Sequence, residues 1–191
     1  MDDIPRIVDI HLRAFDGFFL TSLGEGFLRL YYDSVRTHDD GILFTCKREG
    51  AVIGFCAATV KSAGFNTSLV KSRLVDYALM AMKLIFTRPK AVLRLVRNFT
   101  KESDDMGDNG DYAELLSIGV DPLVQRSGGG RLLLQKLEEE VKRRGGEKLS
   151  LTTDYDDNEK AVGFYHALGY EVWYDFVTYP QRRMYRLIKK I

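Results

Sequence analysis

Glu114-Leu-Leu-Ser-Ile-Gly-Val-Asp-Pro-Leu-Val-Gln-Arg-Ser-Gly-Gly-Gly-Arg-Leu-Leu-Leu134 is the stretch around which this 191-residue chain can be organised. Leu115, Leu116, Ile118 and Val120 are apolar with few interruptions, the pattern of a strand buried on both faces. Asp121-Pro122 stops the strand, because proline cannot donate to a ladder and restricts the residue before it. Gln125 to Gly130 then form a glycine-rich turn, and a long amphipathic helix starts within or just after it. Such a turn gathers unpaired backbone N–H groups with the positive end of the helix dipole behind them, which suits a phosphate. The same glycines also read as a plain flexible connection, so the turn alone leaves both meanings open. Two familiar phosphate loops are excluded. No Gly-x-x-x-x-Gly-Lys-Ser/Thr is present, and no glycine follows Gly130 at the dinucleotide-binding spacing.

Outward from this stretch, Gly130 to Arg144 reads as a helix with Leu133, Leu134, Leu137 and Val141 inward, ended by Gly145-Gly146. Glu138–Lys142, Glu139–Arg143 and Glu140–Arg144 are spaced four apart and read as a solvated face, each pair contributing roughly 0.2–0.5 kcal/mol. Lys148 to Thr153 is the next strand. A strand–helix–strand unit makes it a parallel neighbour of Glu114–Val120. Asp154 to Asp157 is a polar loop, a helix runs from about Asn158 to Leu168, and Val172–Val177 and Arg183–Ile188 complete the sheet.

Toward the N-terminus, helices are expected over Ile4–Phe15 and after Gly24, with the aromatic cluster Phe15, Phe18 and Phe19 between them. Gly41–Lys47 and Val52–Val60 read as a hairpin around Arg48-Glu49-Gly50. Such a hairpin does not oppose Cys46 and Cys56, so both are expected as free, structural thiols. Thr67 to Lys101 reads as apolar helices broken near Thr87-Arg88-Pro89, with Lys71, Arg73, Lys83, Arg88, Lys90, Arg94, Arg97 and Lys101 opposed only by Asp76. Three meanings stand for this insertion: a helical pair packed on the sheet with a solvated outer face, a lid meeting an anionic substrate, or an affinity for a membrane surface. Ser103–Asp111 is expected to be a mobile loop.

Composition narrows the classes. A hydrophobic share of 45% and a charged share of 29% fit one soluble α/β domain over residues 1–191. A formal net charge of +1 argues against a general nucleic-acid binder. Two cysteines make neither a disulfide framework nor a four-thiolate metal site, and His11, His38 and His166 show no ligand spacing, so no metal is expected. The start Met-Asp-Asp-Ile-Pro-Arg lacks the features of a signal peptide, and the longest apolar run, Tyr77 to Met82, is too short to span a bilayer. A cytoplasmic monomer or homodimer is the expectation.

Val120, Pro122, Gln125, Gly128 and Gly130 resemble the Val-x-Pro-x-x-Gln/Arg-x-x-Gly-x-Gly/Ala run of the GCN5-related N-acetyltransferase family. Asn158, Ala161, Phe164, Tyr165, Gly169 and Tyr170 resemble the same family's Asn-x-x-Ala-x-x-Phe-Tyr-x-x-x-Gly-Phe/Tyr segment, at the right distance and in the right order. The resemblance implies a three-layer α/β/α fold with a mixed central sheet that splays at an acetyl-coenzyme A site. It implies that Ile118, Gly119 and Val120 run along the pantetheine arm. Gln125, Arg126, Ser127, Gly128, Gly129, Gly130 and Arg131 would surround the pyrophosphate, while Asn158, Ala161, Phe164 and Tyr165 approach the cofactor from the later helix. Tyr165 would protonate the departing thiolate, and a backbone N–H near Val120 would hold the carbonyl oxygen.

An amine with a lysine-like pKa near 10.4 is mostly protonated at neutral pH, so a proton acceptor helps. Glu114 is the first choice, with Asp154 and Asp156 behind it. Phe18, Phe19, Glu114 and Thr152 are the expected substrate contacts. The expected acceptor is a primary amine on a small metabolite, such as an amino sugar carried on a nucleotide. A protein N-terminus or lysine is the alternative within enzymes, and a non-catalytic acyl-CoA sensor the alternative outside them. An open groove lined by Tyr174 and Tyr179 would favour protein; a pocket closed under residues 67–101 would favour the metabolite.

Overall fold

The computed structural model describes residues 3–93, 108–124 and 128–191. Its centre is one six-stranded sheet: β1 (Gly41–Arg48), β2 (Ala51–Thr59), β3 (Ala113–Val120), β4 (Lys148–Asp154), β5 (Glu171–Thr178) and β6 (Arg182–Lys190), in spatial order β1-β2-β3-β4-β6-β5. Every pairing is antiparallel except β3 with β4, which is parallel as the strand–helix–strand reading expects. The hairpin register sets Cys46 against Gly54 and Cys56 against Phe44, and both thiols are free. Burial pushes the Cys56 thiol up, so it stays protonated and acts as a small apolar side chain.

Helices cover both faces. On one lie α1 (Ile4–Ala14), the short α2 (Phe19–Leu23), α3 (Glu25–Thr37) and α4 (Phe65–Ser72). Ile7, Leu28, Tyr32 and Phe65 from these helices bury against Phe55 and Ala57 of β2. On the other lie α6 (Gly129–Arg143) and α7 (Glu159–His166), whose Leu134, Leu137 and Tyr165 bury against Cys56, Ala58 and Leu149. Each fully buried leucine contributes about 1.5–3 kcal/mol. The alternation of β2 across the two cores is the period-2 rule of a strand packed on both sides.

β3 breaks that rule, and the break positions the site. Ala57 pairs with Ser117 and Ala58 with Leu115, so Leu116 has no partner on β2. One extra residue in one strand is a β-bulge, which bends the strand and increases its twist. Side-chain parity flips there: Leu115 and Ile118 share the α6 side, whereas Leu116 packs into the other core. On its far side β3 pairs with β4 only over Ala113–Leu115. Beyond the bulge the two strands part.

The insertion forms α4, then α5 (Leu74–Thr87), with a break at Arg88 and a further helical turn over 89–93. Phe65 and Leu69 of α4 reach the core, but Leu84 is the only buried residue of α5. The expected pair does break at Arg88, but most of its second helix lies outside the described residues; in its first part a further break at Arg73 leaves α4 packed and most of the apolar side chains of α5 outside. Most of the loop expected over Ser103–Asp111 lies outside the described residues. Of the pairs expected four apart on α6, Glu140–Arg144 forms, while Glu139 pairs with Lys136 and Glu138 with Lys189 instead. Glu140 also holds Arg143, and Glu138 lies 2.7 Å from Lys189 of β6 and accepts the Tyr170 hydroxyl.

Candidate active site

The parting of β3 and β4 opens a cleft of about 440 Å³. Beyond Leu115 the β3 backbone has no strand partner on the β4 side, so N–H and C=O groups there are open to an extended ligand. Ser117 and Ile118 form one wall; Thr152, Thr153 and Asp154 form the other. Asn158 props the second wall, its side-chain amide donating to Thr153 Oγ1 at 2.6 Å and to the Asp154 carbonyl at 3.0 Å.

At the end of β3, Asp121 fixes the turn. Its amide donates to Ile53, and its carboxylate accepts from Leu123 N–H, Arg6 and Arg13. Burial opposes ionisation of this group, but the Leu123 amide and the two guanidinium groups outweigh it and hold the carboxyl below the usual range. Gly128 follows with φ +78, a left-handed conformation that favours glycine, and serves as the N-cap of α6. Among the described residues no side chain caps this terminus, which leaves its first amides as available donors there. A Cβ on Gly130 would lie 3.8 Å from Phe164 and 3.9 Å from Val120, so both recognised segments meet here. At Gly119 a Cβ would meet Phe55 at 2.9 Å and Phe15 at 3.1 Å, which explains why this strand position carries no side chain.

The expected residues divide into groups. Phe18, Phe19, Ile118, Thr152, Asn158, Ala161 and Tyr165 line the cleft. Val120, Gly130 and Phe164 adjoin one another at the start of α6, where Gly129 is buried and Arg131 exposed. Gln125, Arg126 and Ser127 lie outside the described residues. Glu114 does not line the cleft. It sits before the bulge, where β3 is still paired to β4, and its carboxylate accepts from Arg186 at 2.6 Å and from Ser62 at 2.5 Å. A carboxylate placed there is already engaged by these two partners.

Tyr165 is only 9% exposed yet lines the cleft. Burial pushes its hydroxyl up to about 12, with the neighbouring Cys56 adding to the shift. His11 is the residue that sequence reasoning undervalued. It lines the cleft at 2% exposure, and burial lowers its imidazole to about 4. Its Nδ1 shares a 2.6 Å hydrogen bond with the Tyr32 hydroxyl, which shares another of 3.0 Å with Ser117 of β3. Its Nε2 is buried with no hydrogen-bond partner. The only sequence signal was a histidine on the apolar side of α1, a pattern that core packing also produces.

At the α2 end, the Arg182 guanidinium lies 4.7 Å from the Phe18 ring centroid and clasps the Asp154 carboxylate through both oxygens. Neither expected signature of acceptor class is present among the described residues. Tyr174 binds Asp108 away from the cleft, and no described residue of the insertion roofs it. His166 is exposed, with its Nδ1 2.8 Å from the Tyr170 carbonyl.

Comparison with known proteins meets this geometry from outside. A stretch of 92 residues is 35% identical to the mycothiol acetyltransferase of Thermobifida fusca, covering 45% of this chain and 28% of that protein. Another of 60 residues is 42% identical to the [ribosomal protein bS18]-alanine N-acetyltransferase of Escherichia coli, covering 31% of this chain and 40% of that protein. The chain thus spans well under half the length of these relatives. The structure of yncA, a putative acetyltransferase from Salmonella typhimurium with its cofactor acetyl-CoA, superposes with a TM-score of 0.61 at 16% identity. That superposition covers 98% of this chain and 88% of that one, and shows the shared fold. The profile of the Acetyltransferase (GNAT) family matches residues 4–170, which hold α1 to α7 and strands β1 to β4, and the chain belongs to that family.

Proposed function

We propose that this protein transfers an acetyl group from acetyl-CoA to the primary amine of a small metabolite. The observation that carries the acceptor class is the wall that Phe18, Arg182 and Asp154 make at the α2 end of the cleft. A volume of about 440 Å³ falls in the range of small-molecule sites rather than of an extended peptide groove.

The residues present suit the donor. The uncapped amides at the start of α6 suit a diphosphate, and the unpaired β3 backbone suits the amide-bearing pantetheine arm. Acetyl-CoA supplies the thioester when bound. Tyr165, holding its proton throughout the neutral range, offers a hydrogen bond to the departing sulfur. Against a thiol near 8.5 a full proton transfer runs uphill by roughly 5 kcal/mol, unless the dry cleft raises the thiolate as it raises the phenol. The hydrogen bond therefore acts first, and the proton follows as the sulfur loses solvent.

On the acceptor side His11 lines the cleft, which Glu114 does not. A neutral imidazole with a free Nε2 can orient the amine through a hydrogen bond, with its other nitrogen anchored through Tyr32 to Ser117. With a pKa of about 4 it does not retain a proton at neutral pH, so its part is orientation rather than storage of the released proton.

A second reading, acetylation of a protein N-terminus, is favoured by the 60-residue match to the ribosomal protein acetyltransferase. A free-thiol release screen over amino sugars, polyamines, amino acids and peptides separates the two. Turnover with small amines supports the proposal, and turnover with peptides alone replaces it. Tight acetyl-CoA binding without thiol release on any acceptor would instead point to a sensor.

A further inference from the structure

Helix α5 carries the apolar side chains that the core does not use. Phe86 is 87% exposed, Val75 71% and Leu74 62%, and Leu79, Met82 and Ile85 are each more than half exposed. Their spacing places them on one continuous face. The inward side does not consume the remainder either, since Tyr77, Met80 and Leu84 look onto an apolar hollow of about 430 Å³ shared with Phe27 and Val70. An uninterrupted apolar face of this kind on a folded protein marks an interaction surface.

Charge selects the partner. Asp76 is engaged by Arg73 at 2.8 Å, and Arg73 also holds Asp33 at 2.7 Å. The exposed Lys71, Lys83 and Lys90 have no carboxylate partner among the described residues. Arg88 donates to the Ser22 carbonyl at 2.8 Å and packs on Gly24, which leaves its positive charge unneutralised. Among the described residues the carboxylates at this border, Asp33 and Asp76, are both taken by Arg73, which leaves an excess of cations beside the apolar face. Two copies meeting through it would bring these cations toward each other across a two-fold axis, which opposes association. An anionic bilayer surface accepts the apolar side chains and neutralises the rim together. With 14 residues α5 is too short to span a bilayer.

We infer that α5 lies in the headgroup region of an anionic membrane, with Leu74, Val75, Leu79, Met82, Ile85 and Phe86 inserted and Lys71, Lys83, Arg88 and Lys90 on the lipid phosphates. Through Arg88 this face is tied to α2, whose Phe19 and Leu20 line the cleft, so docking brings the acceptor side of the cleft toward the headgroups.

Co-sedimentation of the full chain with vesicles of equimolar phosphatidylglycerol and phosphatidylcholine, against pure phosphatidylcholine, tests this. Binding at least about tenfold tighter to the anionic vesicles, and weakened by high salt, is expected. The double variant Leu79→Glu/Phe86→Glu should reduce that binding about tenfold or more while leaving acetyl-CoA affinity by calorimetry unchanged. The triple variant Lys71→Gln/Lys83→Gln/Lys90→Gln, which leaves the apolar face intact, should lose the preference for anionic lipid. Sedimentation with neither vesicle, or equally with both, overturns the inference. So does a dimer that the double variant dissociates while no vesicle is bound.

Discussion

The cleft and helix α5 invert the same rule in opposite directions. In the cleft, ionisable side chains that usually sit at the surface are buried: His11 and Tyr165 are almost wholly enclosed, and burial drives both toward their neutral forms. On α5, side chains that usually fill a core face outward. Neither arrangement improves folding, because burying a polar group costs free energy and leaving an apolar one in water forgoes it. The two costs also differ in what would offset them. A buried neutral phenol and imidazole prepare a dry space for a reacting group, whereas an exposed apolar face is offset only when something covers it. The contrast teaches that a departure inside the fold points to chemistry and a departure outside it to a partner.

The hardest test of the inner departure is Tyr165→Phe. It keeps the ring that packs beside Phe164 and Tyr170 and removes only the hydroxyl. Turnover measured by thiol release should fall about 10²–10⁴-fold, the range of general acid–base contributions. Acetyl-CoA affinity by calorimetry should move by less than about threefold, roughly 0.6 kcal/mol, because the ring contact survives. Equal turnover would return Tyr165 to plain packing and leave the cleft without its acid.

Next in size is the ordinary core that both departures are measured against. Leu134 of α6 is fully buried between helix and sheet. Leu134→Ala should cost about 2–5 kcal/mol in urea unfolding. A cost under about 1 kcal/mol would mean that this side of the sheet is loosely packed, and the comparison with α5 would lose its reference.

How far the sequence could be read follows the same division. The apolar run of β3, the Pro122 stop and the apolar spacing of α6 act over a few neighbouring residues, and their local chemistry fixes their shape, so strand and helix were legible. The parallel pairing of β3 with β4 was legible from the strand–helix–strand order alone. The bulge at Leu116 was not, because Leu115, Leu116 and Ser117 contain no glycine or other bulge marker and the extra residue exists only relative to β2. The surroundings of Glu114 were hidden for that reason. Its parity and its Arg186 partner, 72 positions along the chain, depend on where β3 and β4 part company. His11 was under-read because an apolar helix face gives no sign that one of its residues meets a cleft made by distant strands.

His11 also gives a pH test with a definite sign. In the unfolded chain an imidazole takes up a proton below about 6.5, whereas in the fold His11 stays neutral down to about 4. The unfolded state therefore binds the extra proton, and the stability tied to a neutral His11 is complete above pH 6.5 and is lost as pH falls toward 4. The wild-type protein should lose up to roughly 3 kcal/mol more over that interval than His11→Gln, read from urea unfolding at pH 7, 5.5 and 4. Parallel pH curves would mean that the imidazole is charged or solvent-reached in the fold. The argument that it orients a neutral amine would then fail.

The smallest expected effect belongs to the outer departure, and its smallness is the point. Val75→Ala and Phe86→Ala remove side chains that are mostly in water, so each should change unfolding free energy by no more than about 0.5 kcal/mol. Leu84→Ala, two residues before Phe86 but buried on the opposite side of the same helix, should cost about 2 kcal/mol or more. Measured side by side in urea, the three separate what α5 does for the fold from what it holds in reserve. A loss at Phe86 as large as at Leu84 would show that the outer face is already covered in solution by the protein itself. The contrast between a chemically prepared interior and an unpartnered exterior would then have to be withdrawn.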